Sequence, residues 1–209
     1  MSFNFDIDKM LIEGKTPSQD ELLPVDFRSC FKLGKVHQIG LAVPDAVATA
    51  ERLTYSGLGH FLIAEDDLDY WIEGREKKFF HGKMALGYFG GYEIELLEGG
   101  KGSTFYSRKF REDGKIALHH LGFLTQSIDE RIAEMNVSGI RIAVRGRIKL
   151  YPLTIDFAYM DSEQEVGVIV EFIEHRLFGI PIKPAKSLIV NVARLLKVFS
   201  IRQIRMGQF

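Results

Sequence analysis

The sequence predicts an α+β fold made of two similar modules, each ordered strand, helix, then a run of strands, with helices on one side of mainly antiparallel sheets. Three observations predict it. Val36-His37-Gln38-Ile39-Gly40-Leu41-Ala42-Val43 returns 82 residues later as Leu118-His119-His120-Leu121-Gly122-Phe123-Leu124-Thr125. Gly91-Tyr92-Glu93-Ile94-Glu95-Leu96-Leu97-Glu98 returns 76 residues later as Gly167-Val168-Ile169-Val170-Glu171-Phe172-Ile173-Glu174. Between each opening and closing segment the apolar period changes from helical to alternating.

Taken in order, residues 1–34 form a polar N-terminal extension. Thr16-Pro17 before Ser-Gln-Asp-Glu-Leu-Leu predicts a short capped helix with proline in its first turn. The main domain spans 35–175, with modules at about 35–100 and 116–175. In the first module, Asp45 caps a helix over Ala46–Tyr55 that Gly57 and Gly59 stop. In the second, Ser127 and Glu130 have capping-box spacing. Ile128, Ile132 and Met135 share one helical face, and Gly139 ends the run. The remaining strands are expected at Phe61–Ala64, Lys83–Tyr88, Tyr92–Leu97, Ile140–Val144, Thr154–Met160 and Val166–Ile173. Residues 176–209 form a basic C-terminal extension. Leu188, Ile189, Val192, Leu195, Leu196 and Phe199 predict an amphipathic helix over 187–206 that docks on its own domain or on a partner subunit, or touches an anionic membrane.

Composition narrows the functional classes. Hydrophobic residues make up 46% and charged residues 26% of the 209, an ordinary globular balance that can bury a core unaided. Residues 175–209 carry seven Lys/Arg and no Asp/Glu, leaving 20 against 28 elsewhere, a balance of −8. An acidic body argues against a nucleic-acid binder. The single cysteine, Cys30, forms no intrachain disulfide, which fits a cytoplasmic setting. No basic leader precedes an apolar stretch at the start, so no secretory signal is expected.

Strand alternation places His37, Ile39, Leu41 and Val43 on one face of the first strand, toward the helix, and Gln38, Gly40 and Ala42 on the other. In the same way His120 shares a face with Gly122, while His119 joins Leu121 and Phe123. Glu95 lies opposite Ile94 and Leu96, and Glu171 interrupts an apolar strand. A buried charge is costly unless paired or metal-bound, so Gln38, Glu95, His120 and Glu171 are candidates for one polar centre. Each also has a plainer reading: Glu171 as an edge-strand charge, His120 as a core histidine, Gln38 as a cavity-lining amide. Trp71 lines a cavity mouth or belongs to the core, and Arg75-Glu76-Lys77-Lys78 reads as a solvated loop.

These four segments, His37–Asp45, Glu95–Glu98, His119–Phe123 and Val170–Glu174, resemble the vicinal oxygen chelate superfamily, which includes glyoxalase I, methylmalonyl-CoA epimerase, extradiol dioxygenases and drug-sequestering resistance proteins. The resemblance covers about 35–175. It implies two paired βαβββ modules forming a curved mixed sheet around a central metal site held by Gln38, Glu95, His120 and Glu171. One divalent ion (Zn, Ni, Co or Mn) suits that donor set. The implied activity is a glyoxalase- or epimerase-like lyase or isomerase that shuttles a proton beside a carbonyl, with Glu171 as base and Glu95 as second carboxylate. The implied partners are a small molecule with vicinal oxygens and a second copy of the chain in a homodimer. Many relatives carry His at the position of Gln38. The stretch Lys115–His119 lacks the arginine that glyoxalase I uses to hold glutathione. The alternatives are a metal-free binding protein of the same fold and an extradiol dioxygenase, the latter if His37 replaces Gln38.

Overall fold

A computed structural model describes residues 7–183 and 202–204. Among these, three short helices come first: α1 (Ile7–Glu13), α2 (Gln19–Leu22) and α3 (Val25–Cys30). The first module follows: β1 (Gln38–Ala42), α4 (Ala46–Tyr55), β2 (Phe61–Asp67), β3 (Tyr70–Glu73), β4 (Glu76–Lys78), β5 (His81–Phe89) and β6 (Tyr92–Leu97). The second comprises β7 (Ala117–Leu124), α5 (Ile128–Val137), β8 (Ile142–Leu150), β9 (Leu153–Met160), α6 (Glu163–Val166) and β10 (Ile169–Leu177), extended by β11 (Ile180–Ile182). A last strand, β12 (Arg202–Ile204), pairs with β2.

All twelve strands join one mixed sheet in the order β12-β2-β5-β6-β1-β7-β10-β9-β8-β3-β4, with β11 beside β10. The order is a near mirror about its centre. In each module the opening strand runs parallel to the closing one, β1 with β6 and β7 with β10. The two opening strands pair antiparallel with each other. The sheet curls into a half-barrel whose outer face carries α4 and α5.

The helix signals are mostly obeyed. Asp45 caps α4 by accepting from the Ala48 amide, and α5 buries Ile128, Ile132 and Met135. Pro17, expected in the first turn, lies before α2, which Ser18 caps in a reciprocal box with Glu21. The capping box expected at Ser127 does not form. The Ile128 amide donates instead to Glu174 of β10 at 2.8 Å, as the Ala46 amide of α4 donates to Glu98, just past β6, at 3.0 Å. The N-terminal segment joins the main core through Met10, Leu22 and Leu23, each at most 1% exposed.

One local reading needs correction. The charged run at 75–78 is no loop: Tyr70–Glu73 and Glu76–Lys78 form a hairpin added to the outer edge of the second module, on β8. Trp71 is fully buried in that edge, stacked on Phe80 with ring centroids 4.3 Å apart. The amphipathic helix expected over 187–206 lies outside the described residues except at Arg202–Ile204, which are extended rather than helical. Among the described residues no helix is long and apolar enough to cross a membrane.

The centre of the sheet depends on two glycines. In the β1–β7 register Gly40 faces His120, and Gln38 faces Gly122. A Cβ on Gly40 would sit 1.9 Å from Cε1 of His120, and one on Gly122 would sit 2.9 Å from Gln38. Each glycine thus clears the space that the other strand's polar side chain fills. Gly40→Ala is expected to displace the His120 ring and cost about 1–3 kcal/mol through overpacking. Gly34→Ala, which meets nothing within 4 Å, should stay within about 0.5 kcal/mol. Urea unfolding of the two variants decides the point; equal stabilities would show that the glycine is not needed.

Candidate metal centre

Gln38, Glu95, His120 and Glu171 are all buried, at 5%, 7%, 0% and 3% exposure, and all reach the concave face where β6, β1, β7 and β10 run side by side. The registers explain the convergence. Gly40 pairs with Glu95 as well as with His120, and Gly122 pairs with Glu171 as well as with Gln38. Around Nε2 of His120 lie Gln38 Oε1 at 3.0 Å, Glu171 Oε2 at 3.0 Å and Glu95 Oε2 at 3.4 Å. Ligands about 2.1 Å from one ion stand about 3.0–3.4 Å apart along the edges of its coordination polyhedron.

The electrostatics favour a cation there. Glu95 Oε2 and Glu171 Oε2 are buried without a hydrogen-bond partner. Within ion-pair distance of either carboxylate, among the described residues, stands only His120. Burial, and then the neighbouring carboxylates, push Glu95 well above its ordinary 4.5. Burial does the same to Glu171, with the Tyr159 hydroxyl nearby acting in the other direction. Burial pushes His120 down to about 3, against the pull of Glu93, so the imidazole is neutral, the form that binds metals. Two ionised carboxylates in a dry site cost several kcal/mol each; a divalent ion would offset that. Glu95, His120 and Glu171 form a possible metal site, their donor atoms within 4.8 Å of one another, and Gln38 Oε1 stands beside them as a fourth donor atom.

Several neighbours were not singled out by sequence. Glu93 accepts from Gln38 Nε2 at 2.7 Å and from the Tyr88 hydroxyl at 2.6 Å, which turns the amide so that its oxygen faces His120. Alternation along β6 would have found it, since Glu93 and Glu95 share a face. His119 departs from the helix side assigned to it. The register steps from Gly40–His120 to Leu41–Leu118, so His119 is the extra residue of a β-bulge, and a bulge re-aims a side chain that strict alternation would send elsewhere. Its Nδ1 meets Nδ1 of His120 at 3.1 Å, and its ring packs edge-on against Phe105, Tyr106 and Tyr159. With the shared proton on His120, the Nε2 lone pair of His120 faces the carboxylates. Tyr106 and Tyr159, joined at 3.1 Å, close the floor beside them. His37 does not line this cavity.

Above the floor opens a cavity of about 370 Å³. Its walls are apolar, from Leu62, Met84 and Leu86 on one side to Ile148, Leu150, Ile155, Phe157 and Ile173 on the other. The link from β2 to β3, Asp67 to Asp69, lines the opening together with Lys83 and Lys149.

Residues 37–159 match the sequence-family profile described as Glyoxalase/Bleomycin resistance protein/Dioxygenase superfamily. The chain belongs to this superfamily, which includes enzymes such as methylmalonyl-CoA epimerase. No curated protein matches the sequence. Among solved structures, a hypothetical protein from Bacillus halodurans C-125 is similar at 24% identity and a TM-score of 0.46, covering 73% of this chain and 97% of its own. A Mycobacterium tuberculosis methylmalonyl-CoA epimerase is similar at 15% identity and a TM-score of 0.45, covering 74% and 90%. A Streptomyces coelicolor methylmalonyl-CoA epimerase variant in complex with 2-nitronate-propionyl-CoA is similar at 19% identity and a TM-score of 0.43, covering 68% and 96%.

The shifted carboxyls set a pH dependence for metal-stripped protein. A carboxyl raised in the folded state holds its proton where the unfolded chain has lost it, so stability falls as pH rises from 4.5 through the raised value. The depressed histidines His119, His120, about 3, and His175, about 4, act oppositely, but their contribution levels off above 6.5 and is common to wild type and Glu171→Gln. From pH 6.5 upward, the melting temperature of stripped wild type is expected to decline more steeply than that of stripped Glu171→Gln. Parallel curves would show that Glu171 carries no such shift.

Proposed function

We propose that the chain is a metal-dependent lyase or isomerase of the glyoxalase I and methylmalonyl-CoA epimerase type, moving a proton next to a carbonyl. The observation that carries the reading is the convergence of Gln38, Glu95 and Glu171 on one nitrogen of His120, with two carboxylate oxygens left unpartnered. In this reading Gln38, Glu95, His120 and Glu171 hold one divalent ion, of Zn, Ni, Co or Mn type. When bound, that ion supplies Lewis-acid polarisation of two vicinal oxygens on a small-molecule substrate.

The remaining work falls to the chain. Glu171 accepts the proton from the carbon beside the carbonyl, because its unpartnered oxygen faces the cavity and burial raises its basicity. Glu95 is the second carboxylate and receives or returns the proton at the other face. The apolar walls exclude water, which protects the deprotonated carbon from solvent exchange. A homodimer in the cytoplasm is part of the proposal on family grounds, and light scattering at micromolar concentration tests the assembly.

Elemental analysis of purified protein should find about one divalent ion per chain, and His120→Ala should lose it. An unchanged metal content would remove His120 from the centre, and iron alone would favour dioxygenase chemistry. Glu171→Gln should keep its fold and its metal. It should lower α-proton exchange of acyl thioesters such as methylmalonyl-CoA in D₂O, followed by NMR, by at least about 10²-fold. Exchange at the wild-type rate would exclude Glu171 as the base.

A further inference from the structure

The cavity has a second polar anchor at its far end. Glu171, Ile173 and His175 alternate along β10 and all line the cavity, so His175 looks into the same space as Glu171, four residues further along. The separation is about 13 Å at roughly 3.3 Å per residue. His175 is 3% exposed, and its Nδ1 is buried without a hydrogen-bond partner among the described residues. Its neighbours on the cavity wall, Ile173 and Ile155, offer nothing polar. A buried donor or acceptor left unpaired costs about 1–3 kcal/mol, so the ring is poised for a group that enters with the ligand.

We propose that His175 binds an uncharged hydrogen-bonding group, a carbonyl, amide or hydroxyl, at the distal end of an otherwise aliphatic or aromatic ligand whose oxygen-bearing head sits at the floor. The inference rests on the proposed function for the position of the head, and on the cavity alone for the distal group. A neutral group fits because burial, and then the neighbouring His37, hold the imidazole uncharged near pH 7, with its pKa at about 4. Lys149, between Ile148 and Leu150 on β8, lines the same side of the cavity as His175, and Lys83 lines the other. The class of ligand is therefore an extended, mainly apolar carbonyl compound with one neutral polar group remote from the reacting end.

The test is calorimetric, with two probes that differ only at the far end: a ten-carbon alkyl hydroxamic acid and its ω-hydroxy derivative. Both are titrated into zinc-loaded and metal-stripped protein. Wild type should prefer the ω-hydroxy probe by about five- to tenfold, the worth of one hydrogen bond. His175→Phe should abolish that preference without weakening the plain probe. His175→Gln, which keeps a donor and an acceptor, should retain part of it. Equal binding of the two probes by wild type, a preference that survives in His175→Phe, or no binding of either probe would overturn the proposal. The metal reading fails separately, if zinc does not strengthen either probe while the ω-hydroxy preference persists in stripped protein.

Discussion

Everything at the centre of this molecule depends on how closely β1 and β7 approach. Two strands that each carry a long polar side chain into one space can pair there only if the facing position has no Cβ. Gly40 and Gly122 meet that requirement in a reciprocal way, each opposite the polar residue of the other strand. The same two glycines stand beside Glu95 and Glu171 in the parallel registers. One small-residue device therefore sets the distance between modules, the position of the imidazole and the reach of both carboxylates.

The closing strands tie this centre to the outer layer. In each module a Glu-x-x-Glu motif sends its two carboxylates in opposite directions. Glu95 and Glu171 go to the concave floor, and Glu98 and Glu174 go to the first amides of α4 and α5. Three residues along a strand reverse the face, so a single stretch both builds the site and satisfies orphan donors at a helix start. Capping from a strand also fixes each helix against the sheet in angle and depth, which a local serine cap does not do.

Around the four converging side chains lies a ring of groups that turn them. Glu93 sets the Gln38 amide, His119 meets the inner nitrogen of His120, and Tyr106 and Tyr159 pair beside the carboxylates. Carboxylates and imidazoles that must face one point need such partners, because a buried side chain with a free torsion would find another hydrogen bond. The second aromatic core, built on Trp71, Phe80, Phe105 and Tyr106, supports this ring from behind. It also explains the β3–β4 hairpin: the strand leaves the first module, crosses the cavity opening and delivers Trp71 to the second.

The sequence by itself determined the two-module plan, the helix over Ala46–Tyr55 and the strand over Tyr92–Leu97, and it singled out Gln38, Glu95, His120 and Glu171. Those follow from repeats, caps and alternation, which are local and periodic. Tertiary structure decided what depends on neighbours distant in the chain. The bulge that re-aims His119 exists only because β7 is paired with β1. The strand character of residues 76–78 comes from pairing with β3, which itself joins β8 of the other module. Tyr106, Tyr159 and His175 acquire meaning only when the sheet curls and brings them onto one concave surface. A carboxylate or an imidazole in a strand is ambiguous in sequence, because its role depends on which donors and charges it meets across the cavity, and that is fixed by long-range register.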